Sequence, residues 1–202
     1  MWPPGLLPSP KERRNRVRDR AAGEGPEPHR RTAGQRHGRP VRPATPCEDF
    51  DVRALTNHLL AGNPYYVTLA QGGGPDFSLF ARDQIGDRQP GDVYARGAEE
   101  VLAAWRSEGA LERQMPLPGG GMGPRIVDLH LLEAVLHSWD LATATGQDRT
   151  GDPDAVQAAF AGWYGNFPDE IRAATGMFGP SKPAADDAPA ADRLAAYFGR
   201  TV

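Results

Sequence analysis

The segment Arg125–Gly146, RIVDLHLLEAVLHSWDLATATG, constrains the fold most, because it is long, apolar over much of its circumference and carries ionisable side chains on one stripe. Ile126, Leu129, Leu132, Val135, Leu136, Trp139 and Leu141 recur at three- and four-residue steps, which predicts an interior helix. Gly146 supplies the left-handed stop that ends such a helix. Glu133 and His137 stand four residues apart, an offset of about 40° that puts a carboxylate and an imidazole on one face. His130 lies on the same stripe and is a spare candidate partner, but seven residues before His137 it is about 10 Å away along the axis, too far for both to reach one ion unaided. Burying such groups among leucines is costly unless compensated, and a divalent ion is the strongest compensation available. An E-x3-H pair also occurs as a plain surface hydrogen bond, so the motif alone leaves both readings open.

Charge divides the chain of 202 residues into two unlike pieces. Residues 1–43 hold 11 Lys/Arg against 4 Asp/Glu, a local charge of +7, whereas residues 44–202 hold 12 against 22, or −10. The first piece is rich in Arg, Pro and Gly and nearly empty of large apolar residues after Leu7, so it is expected to be disordered. An arginine-rich arm of this kind can bind nucleic acid by neutralising phosphates, but no interleaved aromatics beyond Trp2 and no nucleic-acid-binding fold accompany it. GC-rich DNA read in the wrong frame, or from too early a start, would give the same composition. The single cysteine, Cys47, excludes an internal disulfide framework and a cysteine-based zinc finger, in keeping with a reducing cytoplasm. No apolar run approaches the roughly 20 residues that span a bilayer, and the prolines of MWPPGLLPSP interrupt what a signal peptide would need, so neither membrane insertion nor secretion is expected.

From Ala44 onward the pattern is helical. Asp51 reads as the N-cap of a helix whose stripe is Val52, Leu55 and Leu59, with His58 beside that stripe at the edge of the core. Gly62-Asn63-Pro64 is expected to break or kink it. A loop with one turn expected at 77–80 leads to a helix from Asp92 to about Ser107, with Val93, Gly97, Val101, Leu102 and Trp105 inward. The glycines before Arg125 precede no GK[ST] and follow no strand of a βαβ unit, which excludes a P-loop and the dinucleotide fingerprint. Asp152-Pro153 opens a further helix to about Gly165, residues 166–183 read as irregular, and Asp187 with Pro189 opens a last helix that buries Leu194, Tyr197 and Phe198. No segment alternates with period two, so the expected fold is all-α, a helical bundle.

The phrases TPCEDFDVRALTNHLLAGN, LHLLEAVLHSWDLATATGQ and FGPSKPAADDAPAADRLAAYFGR, in this order, resemble the actinobacterial branch of the DinB-like metalloproteins, which includes the mycothiol-dependent maleylpyruvate isomerase. The resemblance spans residues 44–202 and implies a four-helix bundle in which His58, Glu133 and His137 bind one divalent ion, most often Zn2+. Two ligands from one helix and one from another leave a coordination position open, as catalytic sites do. The resemblance further implies mycothiol as a thiol cofactor, an electrophilic small molecule as substrate, and thiol transfer or isomerisation as the reaction. The alternative is a metal-binding or interaction domain that has lost the reaction, with a closed site in which His130 or Asp140 adds a fourth ligand.

Asp140 has two readings here, a group orienting a ligand or a cap for Ser138 and the backbone, with the second favoured. Cys47 reads as a small buried residue in preference to a reactive thiol. Arg53, Arg82 and Arg125 are candidates to hold an anionic thiol or substrate. Relatives begin with a long amphipathic helix where this chain has the Arg- and Pro-rich stretch. The apolar faces around Val52, Leu55, Trp105 and Leu132 are therefore expected to lack a cover, favouring a homodimer or a partner helix.

Overall fold

The structure, a computed structural model, describes residues 43–115 and 121–202, with the side chains of residues 173–175 set aside. Apart from Pro43, the Arg-rich stretch and what was expected of it lie outside the described residues. Among the described residues the chain is all-α, as its periodicity predicts: six helices and one 3-10 helix, with extended pairing limited to isolated bridges at Ala44–Asp51 and Gln114–Met122.

Helix α1, Val52–Ala70, starts where Asp51 Oδ1 accepts the Ala54 N–H at 2.8 Å. It does not break at Gly62-Asn63-Pro64, contrary to the expectation from sequence. Pro64 removes one backbone bond, at a propensity cost of about 3 kcal/mol. Leu60, Ala61, Asn63, Tyr65, Tyr66 and Leu69 are all buried around it, and that packing outweighs the local cost. The 3-10 helix Phe77–Ala81 follows, then α2, Pro90–Trp105. Gly97 of α2 lies against Asn63 of α1 so closely that a β-carbon there would stand 2.9 Å from the Asn63 β-carbon. Val101, Ala104 and Trp105 are the buried residues of α2, while Leu102, expected inward, is 51% exposed because it lies about 100° around the helix from Val101.

Helix α3, Gly123–Thr145, ends at Gly146 with φ 68°, as the sequence predicts. Helix α4, Pro153–Trp163, is capped by Asp152, whose carboxylate accepts the Ala155 N–H at 2.9 Å. A short helix α5, Asp169–Thr175, occupies part of the stretch read as irregular. Arg172, buried, bonds Asp169 and lies over the Tyr197 ring, which anchors this turn from the far side. Helix α6 is Ala190–Tyr197. It buries Leu194 as expected, whereas Tyr197 is only half-buried and Ala191, Ala195 and Ala196 fill its inner face.

Two apolar cores result. The first joins Tyr65, Tyr66 and Leu69 of α1 to Val101, Ala104 and Trp105 of α2, and takes in Ile126 from the start of α3. The second joins Leu132, Leu136 and Trp139 of α3 to Val156, Ala159 and Trp163 of α4 and to Leu194 and Phe198. Each large side chain so buried contributes about 1.5–3 kcal/mol. Leu55, Leu132 and Trp105, expected to lie under an open face, are buried, and Val52 is half-buried. Helix α3 contributes to both cores, Ile126 to the first and Leu132, Leu136 and Trp139 to the second, and α1 packs against it.

Candidate metal centre

Helix α1 carries His58 toward α3, and α3 presents Glu133 and His137 one turn apart. His58 Nε2 stands 3.4 Å from Glu133 Oε2, and His137 Nε2 stands 3.7 Å from the same oxygen. One atom of each of the three side chains lies within 4.8 Å of the other two. The two imidazoles meet edge to face, with ring centroids 5.1 Å apart. Phe50 packs against both rings and Phe80 against His58, at centroid distances of 5.2, 6.4 and 5.0 Å. The side chains of His58 and Glu133 keep 25% and 21% of their surface open, against 7% for His137, so access is from the His58 side.

Nitrogen-to-oxygen separations of 3.4 and 3.7 Å exceed those of good hydrogen bonds. They suit donors sharing one ion, because ligands about 2.0–2.1 Å from a tetrahedral centre stand about 3.3 Å from each other. The donor set, two imidazoles and a carboxylate, suits zinc and its neighbours among the divalent metals. In the metal-free protein, burial pushes the Glu133 carboxyl up, but polar contact with the imidazoles of His137 and His58, and the positive charge they can carry, outweigh it and hold the group well below the usual carboxylate range.

His137 is held from behind. Its Nδ1 stands 3.0 Å from Asp140 Oδ2, and Asp140, fully buried, accepts two further bonds from Arg200, Nε to Oδ1 at 3.1 Å and Nη2 to Oδ2 at 2.8 Å. The favoured reading of Asp140, a cap for Ser138 and the backbone, is corrected: its carboxylate faces the imidazole of His137 and the guanidinium of Arg200. Burial raises the Asp140 carboxyl, and the bonds from His137 and Arg200 bring it below its ordinary value.

His130 is turned elsewhere. Its ring stacks on Tyr66 at 3.9 Å between centroids, and burial lowers its pKa from 6.5 to about 4. The arginines proposed for anion binding are engaged in other contacts: Arg53 bonds Asp83 at 2.9 Å, Arg82 bonds Ser78 at 3.0 Å, and Arg125 lies 3.5 Å above the Trp163 ring. Cys47 is half-buried beside His137 and Asp140, and burial pushes its thiol up to about 11.

Arg200 is the residue that sequence reasoning passed over. It stands alone after Phe198-Gly199, and only the fold shows that it returns to α3. Asp140 did carry a signal, since three residues beyond His137 it shares that histidine's helix face.

The pattern of the family described as Mycothiol maleylpyruvate isomerase N-terminal domain matches residues 29–142, which include His58, Glu133, His137 and Asp140. An uncharacterized protein of Mycobacterium tuberculosis strain CDC 1551 / Oshkosh is 30% identical over 164 residues, 78% of this chain and 84% of its own length. An uncharacterized protein of strain ATCC 25618 / H37Rv shows the same identity and coverage. No solved structure matches significantly. With more than half of its residues within the matched span and an all-α architecture around it, the chain belongs to the mycothiol maleylpyruvate isomerase N-terminal domain family.

Proposed function

We propose that this protein binds one divalent ion, Zn2+ first among them, through His58 Nε2, the Glu133 carboxylate and His137 Nε2, and that it serves thiol chemistry on a small electrophile with mycothiol as the thiol. The observation that carries this reading is the placing of Glu133 Oε2 at 3.4 and 3.7 Å from two imidazole nitrogens of different helices. A divalent ion in such a site supplies Lewis acidity, which favours the thiolate form of a thiol at neutral pH.

The protein's own groups prepare that chemistry. Asp140 accepts the Nδ1–H of His137, which leaves the Nε2 lone pair directed at Glu133. Phe50 and Phe80 flank the imidazoles and keep water off two sides. Burial pushes the Cys47 thiol up to about 11, which makes it a poor nucleophile of its own and favours an external thiol as the reacting one. The electrophile occupies the open His58 side.

A non-catalytic site closed by a fourth protein ligand is less well supported. His130 stacks on Tyr66, and both oxygens of Asp140 are committed to Arg200.

Elemental analysis of the purified full chain tests the centre. One equivalent of zinc is expected in the wild type, falling at least tenfold in His58→Ala, Glu133→Ala and His137→Ala. Equal zinc in all four proteins would show that the ion, if any, binds elsewhere. For the thiol, mycothiol added to the Co2+-loaded protein should produce a sulfur-to-cobalt charge-transfer band. A spectrum that mycothiol leaves unchanged would argue for the non-catalytic alternative.

A further inference from the structure

The last turn of the chain is placed with more care than a surface terminus needs. After α6 the backbone reverses at Gly199, φ +92°, so close to Gly179 that a β-carbon would stand 2.9 Å from the Gly179 α-carbon. Phe198, on one side of the reversal, is buried in the second core. On the other side, the Arg200 N–H donates to Ala195 O at 3.0 Å and its Nη1 to Phe198 O at 2.9 Å. These bonds aim the guanidinium inward, where its side chain is 6% exposed and meets an Asp140 carboxylate that is 0% exposed.

A buried ion pair of this kind is a poor way to gain stability, because the desolvation of both groups offsets their attraction. What it does supply is orientation. The planar fork fixes both Asp140 oxygens, and with them the direction of the lone pair that receives His137 Nδ1–H. Without the fork the carboxylate can rotate away from His137 Nδ1, and His137 is then free to carry its proton on Nε2, the nitrogen facing Glu133.

We propose that Arg200 is a positioning residue for the centre: acting through Asp140, it holds His137 in the tautomer whose Nε2 is bare toward Glu133 and His58. The inference rests on the metal reading above and extends it to a residue outside the span 29–142 that the family pattern matches.

The full chain tests it by two readouts. In the metal-free protein at a pH where imidazole is neutral, 15N shifts of His137, assigned by their loss in His137→Gln, should report Nδ1–H in the wild type and a mixture in Arg200→Met. Zn2+ affinity, measured by competition with a chromophoric chelator, should fall about 10–100-fold in Arg200→Met, as loss of outer-shell partners does elsewhere. Arg200→Lys, which keeps the charge without the fork, should fall between the two.

Asp140→Asn/Arg200→Met removes both charges together and so guards against a variant that fails to fold. Its affinity and tautomer mixture should equal those of Asp140→Asn alone. A further tenfold fall in the double variant, or wild-type tautomer and affinity in a folded Arg200→Met, would overturn the proposal. If the wild type takes up no zinc, the metal reading fails, and the tautomer measurement still decides the role of Arg200.

Discussion

His130 should make this protein acid-sensitive in a defined window. It is stacked on Tyr66, and burial holds its pKa near 4 where the free side chain titrates at 6.5. The unfolded chain therefore takes up a proton below pH 6.5 that the folded chain refuses until about pH 4. Stability from this residue is fully present above 6.5 and declines as the pH falls through that interval. Linkage over the whole interval gives about 3 kcal/mol, and between pH 7.5 and 5 about 2 kcal/mol, less some loss because the ring is partly solvated. His137 acts in the opposite direction: burial lowers its pKa, but the bond its Nδ1 donates to Asp140 and the nearby Glu133 carboxylate raise it to a net value above 6.5, so its contribution grows as the pH falls. The comparison must therefore be with His130→Phe, which keeps the stack on Tyr66 and removes the titration. Urea unfolding with a chelator present, at pH 7.5 and 5.0, should show the wild type losing about 1–2 kcal/mol more than the variant. Parallel losses in the two proteins would mean that His130 is solvated well enough to take its proton in the fold, and the reasoning from burial would be wrong.

Gly97→Ala should destabilise the protein despite improving helix propensity, because the new β-carbon would stand 2.7 Å from Asn63 Nδ2 and 2.9 Å from its β-carbon. Overpacking against a β-carbon, which cannot swing aside, costs toward the upper end of about 1–3 kcal/mol and the propensity gain returns about 1, so a net loss of up to about 2 kcal/mol is expected in chemical denaturation. A variant as stable as the wild type would show that α1 and α2 can separate at no cost. Cys47, with its thiol raised to about 11, should react with iodoacetamide at pH 8 about 100-fold more slowly in the native protein than in urea. Equal rates would mean that the thiol is neither buried nor perturbed.

Much of the fold was legible because its signals are local. The period of α3, the Gly146 stop, and the Asp51 and Asp152 caps each depend on a few neighbouring residues. The misreadings came where tertiary contacts outweigh local preference. Pro64 signals a break, yet the buried residues on both sides of it carry α1 through. Helix α5 is too short to show a periodic pattern, and its anchor is Arg172 lying over Tyr197, 25 positions away in sequence. The candidate site divides in the same way. Glu133 and His137 announce themselves by their spacing on one helix, whereas His58 came forward only through the resemblance, since nothing in α1 says which face meets α3. Arg200 was illegible for the same reason carried further, because a lone arginine after a helix has no local pattern to belong to.

The position of the candidate centre gives it a mechanical consequence. Tyr65, Tyr66 and Leu69 of α1 belong to the first core, whereas Leu132 and Leu136, which flank Glu133 and His137, belong to the second. An ion shared by His58 and the α3 pair would therefore tie one core to the other across their seam. At a free zinc concentration 100-fold above the dissociation constant, binding adds about 2.7 kcal/mol to the stability of every element that must be folded to hold the ligands. Native-state hydrogen exchange can separate the elements. With zinc, protection should rise together in α1, which carries His58, and in α6, which contributes no ligand, because α6 supports α3 through Leu194 and the turn after it does so through Phe198 and, at His137, through Arg200 acting on Asp140. If zinc protected α3 and α6 while α1 exchanged as before, the ion would be held without His58. A site built on α3 alone would then replace the one that spans the two cores.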